Sequence, residues 1–523
     1  MKRTIAFHPW LVAIYPILAL LAFNVEWSPP IDAARALLVS LALATVVWLL
    51  ARVLVRDPLR AALLTSLILI LFFSYGHLYG VLKGAGWGAT IGRHRYLAPA
   101  FAIVFLLAAW AVLRRLKDPR PLTAGLNTMA AVLVAMPIVS LAVYAFQPRP
   151  APQATPSAED LHLPSGRPAP DVYLIVLDAY TRQDTLRQVY DVDNRPFLDF
   201  LRSRGFFVAD DSRSNYAQTA LTFASVLNLN YIDALVPGLT RTSTDRKPLW
   251  DLIQHSEVRR RLEALGYETV AFASGLPGTE IRDSDVYLSP GTADERLSLE
   301  GSNPFESMLA QTTMLKLVSD GVVALPRFLP KLDYPYEIHR TRIRFILDNL
   351  DHLPASDRPR FVLAHIISPH PPFVFDAQGH PLTPDAPFTL KFTFAATKGS
   401  REEYLRGYAD QVAFVNSEME RIVDSILTQS STTPVILIMG DHGPDSGSGR
   451  VSYVQERMTN LDAYLLPTGE AGLYPGITPV NSFRVIFNEV FGGSYDLLPD
   501  RVLYSEYDHL YEFDDVTADI SQP

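Results

Sequence analysis

The 523-residue chain contains no cysteine. Disulfides, thiolate metal sites and cysteine nucleophiles are all excluded, formylglycine made from cysteine among them. A domain facing an oxidising compartment must therefore be held by its core alone. Acidic residues are scarce at one end. Residues 1–150 hold 14 Lys and Arg but only 4 Asp and Glu, a net of +10, whereas the remainder holds 32 and 51, a net of −19. The overall −9 describes neither part. No Lys or Arg occurs in the loop "NVEWSPPID" (24–32), and no His between His442 and His509.

Long apolar runs fill the first part. They cover about 9–25, 33–55, 61–82, 96–113 and 125–146, and each approaches or exceeds the ~20 residues that a helix needs to cross ~30 Å of hydrocarbon. The first follows Lys2 and Arg3 but lacks a small-residue cleavage site, and four more runs come after it, so it reads as a span and not a signal peptide. Arg52, Arg56 and Arg60 lie between runs two and three, and Arg114, Arg115, Lys117 and Arg120 between four and five. The positive-inside rule then places the N-terminus in the cytoplasm. Lys83, Arg93 and Arg95 are a partial exception. Five crossings put everything after Phe146 outside the cytoplasmic membrane. The expected organisation is a transmembrane domain at 1–147, a proline-rich linker at 148–170 and an extracytoplasmic domain at 171–523. A transporter is disfavoured, since few charges lie within the runs.

The second part reads as α/β. "VYLIVL" (172–177), "TVAFAS" (269–274), "FVLAHI" (361–366) and "VILIMG" (435–440) are continuous apolar runs, as strands buried on both faces of a parallel sheet should be. Helical patterns separate them, so a doubly wound, mostly parallel sheet is predicted. In such sheets ligands bind beyond the carboxyl ends of the strands. Two of these strands end in candidate metal ligands: Asp178 after the first, Asp441 and His442 after the last. Two carboxylates and an imidazole suit Zn²⁺ or Mn²⁺ with room for a further ligand. Helix capping is the competing role for each Asp.

"SNYAQTALTFASVLNLNY" (214–231) predicts a helix from about Thr219. A hydroxyl there meets the positive end of the helix and free N–H groups, and beside a metal it becomes a nucleophile for phosphorus. A plain N-cap is the alternative. In "HIISPHPPF" (365–373), His365 sits on a strand, as a core histidine or a substrate contact. His370 lies in the rigid loop beyond, better placed to hold a phosphate oxygen or protonate a leaving group. His77 in "SYGHLYG" and His94 in "IGRHRY" are either a headgroup path or helix-end histidines at the interface.

These pieces, in this order, resemble the alkaline phosphatase superfamily, in its sulfatase-like branch of phosphoethanolamine transferases and lipoteichoic acid synthases. The resemblance implies that "PDVYLIVLDAY" carries the first metal carboxylate, that "DHGP" is the closing metal pair, and that "RRLEALGYETVAFASG" is a second sheet strand. It implies that "QTALTFASVLN" is the nucleophile helix, with Thr219 as nucleophile and metal ligand and Thr222 as second candidate. It places the phosphate-contacting histidine at His370. The implied fold is five transmembrane helices followed by a doubly wound domain of alkaline phosphatase/sulfatase type. The implied function is transfer or hydrolysis of phosphate esters through a phosphothreonine, with a membrane-lipid donor and an envelope glycan or lipid acceptor; no nucleic-acid partner is expected. The disulfides of the phosphoethanolamine transferases are missing here, as is their later histidine. A catalytically silent domain that binds a glycan or assembly partner is therefore the second reading. Sulfuric ester hydrolysis is the third, although "QTALTF" lacks the Pro and Arg that follow a sulfatase nucleophile.

Overall fold

The computed structural model describes residues 4–25, 30–85, 87, 90–146, 161–163, 168–290, 304–320, 322–323, 335–382, 400–449 and 451–520. Most of the expected linker lies outside them. Two compact units emerge, one of Met1–Pro148 with Gly291–Pro335, the other of Arg149–Pro290 with Tyr336–Pro523.

The first unit is helical: α1 (His8–Phe23), α2 (Ala34–Leu54), α3 (Pro58–Gly84), α4 (His94–Trp110, continued by a π turn to Arg115) and α5 (Arg120–Phe146). The last four, counted with their flanking turns, are long and apolar enough to cross a membrane. Leu49, Leu50, Val53, Leu106, Leu107, Val132 and Met136 point outward from them, an apolar exterior that suits lipid and not water. The chain is a multi-pass membrane protein. The first expected span is the exception. With 16 residues α1 covers about 24 Å, less than the ~30 Å of a bilayer core. It packs on α5, α2 and α3, and Asn127 of α5 anchors its start by accepting from Phe7 N (3.1 Å) and His8 N (2.9 Å). Asp57 caps α3, and Arg60 donates to the Leu113 and Leu116 carbonyls at the end of α4 (2.8 and 2.9 Å).

The expected single soluble unit of 171–523 is interrupted. Its short helices Pro304–Thr312 and Lys316–Ser319 belong to the first unit. Phe305 is fully buried beside Leu69 and Phe73, Glu306 pairs with Arg35 through both carboxylate oxygens, and Met314 N donates to Phe72 O (2.8 Å). Nothing in this segment's composition separates it from a soluble amphipathic helix. His94 is engaged by the same segment, with Nε2 2.8 Å from Asp320 and Nδ1 2.9 Å from the Tyr75 hydroxyl. It is a structural histidine; His77 is exposed.

The second unit holds a seven-stranded sheet ordered β2-β7-β6-β1-β5-β3-β4. The strands are β1 (Val172–Leu177), β2 (Phe207–Val208), β3 (Glu268–Phe272), β4 (Val286–Leu288), β5 (Arg360–Ile366), β6 (Val435–Met439) and β7 (Asp462–Leu465). From β6 to β4 the pairing is parallel; β7 and β2 add an antiparallel edge. Alternate residues feed two cores. Val172, Leu174 and Val176 face the Thr219–Leu227 and Pro479–Phe491 helices. Tyr173, Ile175 and Leu177 face the Pro335–Asn349 and Arg401–Gln429 helices. Burial on both faces is what makes these strands uninterrupted apolar runs. In register, Val176 lies opposite both His365 and Met439, so β1, β5 and β6 end at one edge.

Candidate active site

At that edge Asp178, Asp441 and His442 converge. One ligand atom from each lies within 4.8 Å of the other two, and all three side chains are buried. Gly440 and Gly443 bracket the Asp-His pair for a steric reason. A Cβ at Gly440 would stand 2.1 Å from Tyr180 O, and one at Gly443 2.0 Å from Glu456 O. Just after Asp178, Ala179 adopts φ +62°, a left-handed conformation that a side chain seldom takes. Its N–H donates to Asp441 Oδ1 (3.0 Å) and its carbonyl accepts from the Tyr408 hydroxyl (2.7 Å).

The carboxylates are half satisfied. Asp441 Oδ1 also accepts from His442 N (3.0 Å), and Asp178 Oδ2 from His365 Nε2 (3.1 Å). Asp441 Oδ2 and Asp178 Oδ1 are buried without any hydrogen-bond partner. His442 Nδ1 lies 3.0 Å from Gly443 O. A carbonyl only accepts, so Nδ1 carries the proton and the Nε2 lone pair faces Asp441 (3.4 Å) and Asp178 (3.8 Å). This is the tautomer of a metal-ligating histidine.

Two like charges in a buried site raise the cost of ionising both. Burial, then the Asp178 charge, pushes Asp441 up to about 7. Burial also opposes ionisation of Asp178, but His370, His365 and His442 more than offset it and hold that carboxyl below its usual range. His442 is pushed well down by burial and then by Arg457, and His370 is lowered by burial. Orphaned carboxylate oxygens beside a neutral imidazole are a donor set that fits a divalent cation.

Thr219 opens its helix, with Gln218 outside the first turn. Its Oγ1 lies 3.3 Å from His442 Nε2, and the hydroxyl also faces Asp441. Thr222 is one turn further in. Its hydroxyl donates to Asp441 O (3.0 Å) and contacts Tyr216 O (3.3 Å), so it supports the backbone of the site and does not open into it. His365 is buried with both ring nitrogens engaged, Nδ1 by Thr279 (2.8 Å) and Nε2 by Asp178. None is left for a substrate; it orients a carboxylate. His370 follows the strand end, its N–H donating to Asp178 O (2.9 Å) and its ring 6.4 Å from that of His442. Its Nδ1 donates to Pro371 O, which leaves Nε2 for chemistry.

Arg457, from the short helix Tyr453–Met458, is the group that pattern reading missed. It donates to Gly443 O (2.5 Å) and Ala217 O (2.7 Å), and Nη2 reaches His442 Nε2 at 3.3 Å. It stands 15 positions after His442, in the stretch that contains no histidine. An arginine on an unremarkable six-residue helix carries no signal of its own.

Residues 263–481 match the family model described as Sulfatase. The matched segment lies wholly within the second part of the sequence and is similar to that family. The match spans β3 to β7 and so takes in His365, His370, Asp441 and His442, but begins after Asp178 and Thr219. It is the branch to which the strand-end motifs pointed. Among solved structures, the chain is similar to the integral membrane protein lipooligosaccharide phosphoethanolamine transferase A of Neisseria meningitidis, at 13% identity over 97% of this chain and 98% of that one, with a TM-score of 0.40. The C-terminal periplasmic domain of EcEptC from Escherichia coli, in complex with Zn, aligns at 11% identity over 70% and 97%, TM-score 0.41. BT1596, a 2-O GAG sulfatase, aligns at 12% over 62% and 71%, TM-score 0.39. No curated protein matches the sequence.

Proposed function

We propose that the protein is a metal-dependent enzyme that transfers or hydrolyses substituted phosphate at the outer face of the cytoplasmic membrane, through a phosphothreonine at Thr219. One observation carries this reading. Two orphaned carboxylate oxygens and a lone-paired imidazole nitrogen surround one point, with a threonine hydroxyl 3.3 Å from that nitrogen. Asp178, Asp441, His442 and Thr219 would hold zinc or manganese. The ion, when bound, supplies a Lewis acid that stabilises the alkoxide and the phosphate charge.

The chain's own groups divide the remaining work. Thr219 Oγ1, its proton given up to solvent beforehand, forms the new bond to phosphorus as the bond to the leaving oxygen breaks. His370 Nε2, protonated beside an anionic phosphate, gives its proton to the leaving alkoxide. Neutral again, it takes the proton of the incoming hydroxyl, from a glycan, a lipid or water, and the Thr219–phosphorus bond breaks in turn. Arg457 adds a fixed positive charge for phosphate oxygens. His365 holds Asp178 in place. Threonine at the nucleophile position, without a following Pro and Arg, favours phosphorus over a sulfate ester.

Attachment to a bilayer favours a phospholipid donor and an envelope glycan or lipid acceptor. If α1 crosses with the other four helices, a cytoplasmic N-terminus puts the α/β domain outside. Mass spectrometry of protein isolated from its own membranes tests the reading. A phosphate-linked adduct on Thr219 is expected, and its mass identifies the transferred group. An unmodified Thr219 in protein that turns over a phosphate ester would contradict it.

A further inference from the structure

The edge that gathers the metal ligands continues outward to β3, the parallel neighbour of β5. Beyond β3 the chain turns at Ser274 and Gly275, and Arg342 of the Pro335–Asn349 helix lies against that turn. A Cβ built at Gly275 would stand 3.0 Å from Arg342 Nη1. The turn is tied to the site. Ser274 and Thr279 share a hydrogen bond (3.1 Å), and Thr279 bonds His365, which holds Asp178.

Three arginines on this helix make an internal comparison. Arg340 donates to Val374 O (3.3 Å) and Leu382 O (2.6 Å) and pairs with Glu337. Arg344 pairs with Glu418 (2.9 Å) and donates to Gly379 O (2.8 Å). Arg342 is half-buried, its Nε is buried without a partner, and among the described residues it makes no hydrogen bond or ion pair. A guanidinium withdrawn from water normally has a partner. One turn before it, on the same face, His339 is buried. Burial, then His370 and Arg342, push His339 down to about 3, so it adds no charge at neutral pH. The carboxylate facing Tyr287 here is Glu280, already engaged by Arg282 and by Gly275 N (2.9 Å). The uncompensated charge of this wall is thus the positive one on Arg342. Its influence falls on His339 and Tyr287, whereas the arginine acting on His442 is Arg457. Arg342 thus lies at the same sheet edge as the metal ligands, against the turn that Ser274 and Thr279 tie to His365.

We propose that Arg342 receives an oxyanion on the substituent that the reacting phosphate carries, a carboxylate or a second phosphate, and disfavours an ammonium there. The inference rests on the phosphate-ester reading of the site. A planar fork can take two oxygens at once, whereas an amine-bearing headgroup would bring two cations together.

The test is calorimetric binding to the zinc-loaded, full-length protein in detergent. The probes are four phosphodiesters of glycerol, whose second alcohols are glycolate, glycerol phosphate, glycerol and ethanolamine. One or both of the first two are expected to bind about tenfold or more tightly than the glycerol diester, and the ethanolamine diester weakest. Whichever of the two binds tightly identifies the oxyanion. Arg342→Ala is expected to bring the anionic diesters to the level of the glycerol diester, which itself changes less than about twofold. Arg342→Lys retains part of the preference, and Arg342→Gln replaces the Ala variant should that one melt early. Equal affinities in the wild type, tightest binding of the ethanolamine diester, no binding of any anionic diester, or a preference that survives in Arg342→Ala would overturn the inference. Binding is read without turnover. A missing adduct on Thr219 thus counts against the proposed function, and a missing charge preference against Arg342.

Discussion

The two units differ in the kind of buried polar group that they leave without a partner. Among the membrane helices, Asn127 bonds the start of α1, Ser40 donates to Ala13 O (2.8 Å), Thr65 to Ala61 O (2.9 Å), and Arg35 pairs with Glu306. The buried atoms without a hydrogen bond there, among the described residues, are His8 Nε2, Thr123 Oγ1 and Arg60 Nε, and the last still faces Asp57 at 3.5 Å. At the sheet edge the orphaned atoms include two carboxylate oxygens, 3.8 and 3.4 Å from the same His442 Nε2. Closed networks fix a fold; an open one of like charge costs stability unless something positive enters it. That difference marks the second unit as the place of chemistry.

The largest effect expected to sharpen this contrast is at the nucleophile. Thr219→Ala should cost about 10³-fold or more in phosphate-ester turnover with little change in melting temperature. Thr222→Val, one turn away, should instead cost about 1–2 kcal/mol of stability and retain the adduct on residue 219. Next is the closed network. Arg35→Ala removes the guanidinium that pairs with Glu306 and should cost on the order of 3 kcal/mol, read as a lower melting temperature, with the metal content of the protein unchanged. Equal loss of metal in that variant would erase the distinction between the units.

Much of the second unit was legible because its strands are buried on both faces, and two of them end in polar residues out of place after an apolar run. Asp178, Asp441 and Thr219 stand at such boundaries. His365 was not legible as an orienting group, since its partner Thr279 is 86 positions away and the strand pattern does not say which ring nitrogen is taken. Arg457 and Arg342 sit on helices where arginine is ordinary, and only the bonds they make or lack set them apart. The Pro304–Thr312 helix was hidden for a related reason, because its partners lie on α2 and α3, far off in sequence. The first run, expected at 9–25, is matched by α1 to within two residues at its end, and both are shorter than the ~20 residues of a full crossing.

The orienting role gives a smaller effect. His365→Asn should weaken metal binding about 10–100-fold by releasing Asp178, a shift read by competition with a chelator, while Thr219 remains modifiable at saturating metal. The smallest is a pH slope. Asp441 is held above its unfolded value in the metal-free fold, so its contribution to stability is full below about 4 and is lost as pH rises through about 7. Asp178, held low, acts in the opposite sense and only in acid. Metal-free protein should thus be more stable to urea at pH 5 than at pH 8, by at most about 1.4 kcal/mol per pH unit. Asp441→Asn should flatten the slope, as should bound zinc.

The most direct measurement is anomalous X-ray scattering from crystals of protein grown with zinc. The account predicts a peak within bonding distance, about 2.0–2.2 Å, of Asp178 Oδ1, Asp441 Oδ2 and His442 Nε2, with the Thr219 oxygen beside it. Active protein with zinc bound elsewhere, or with no metal between those three side chains, would contradict it.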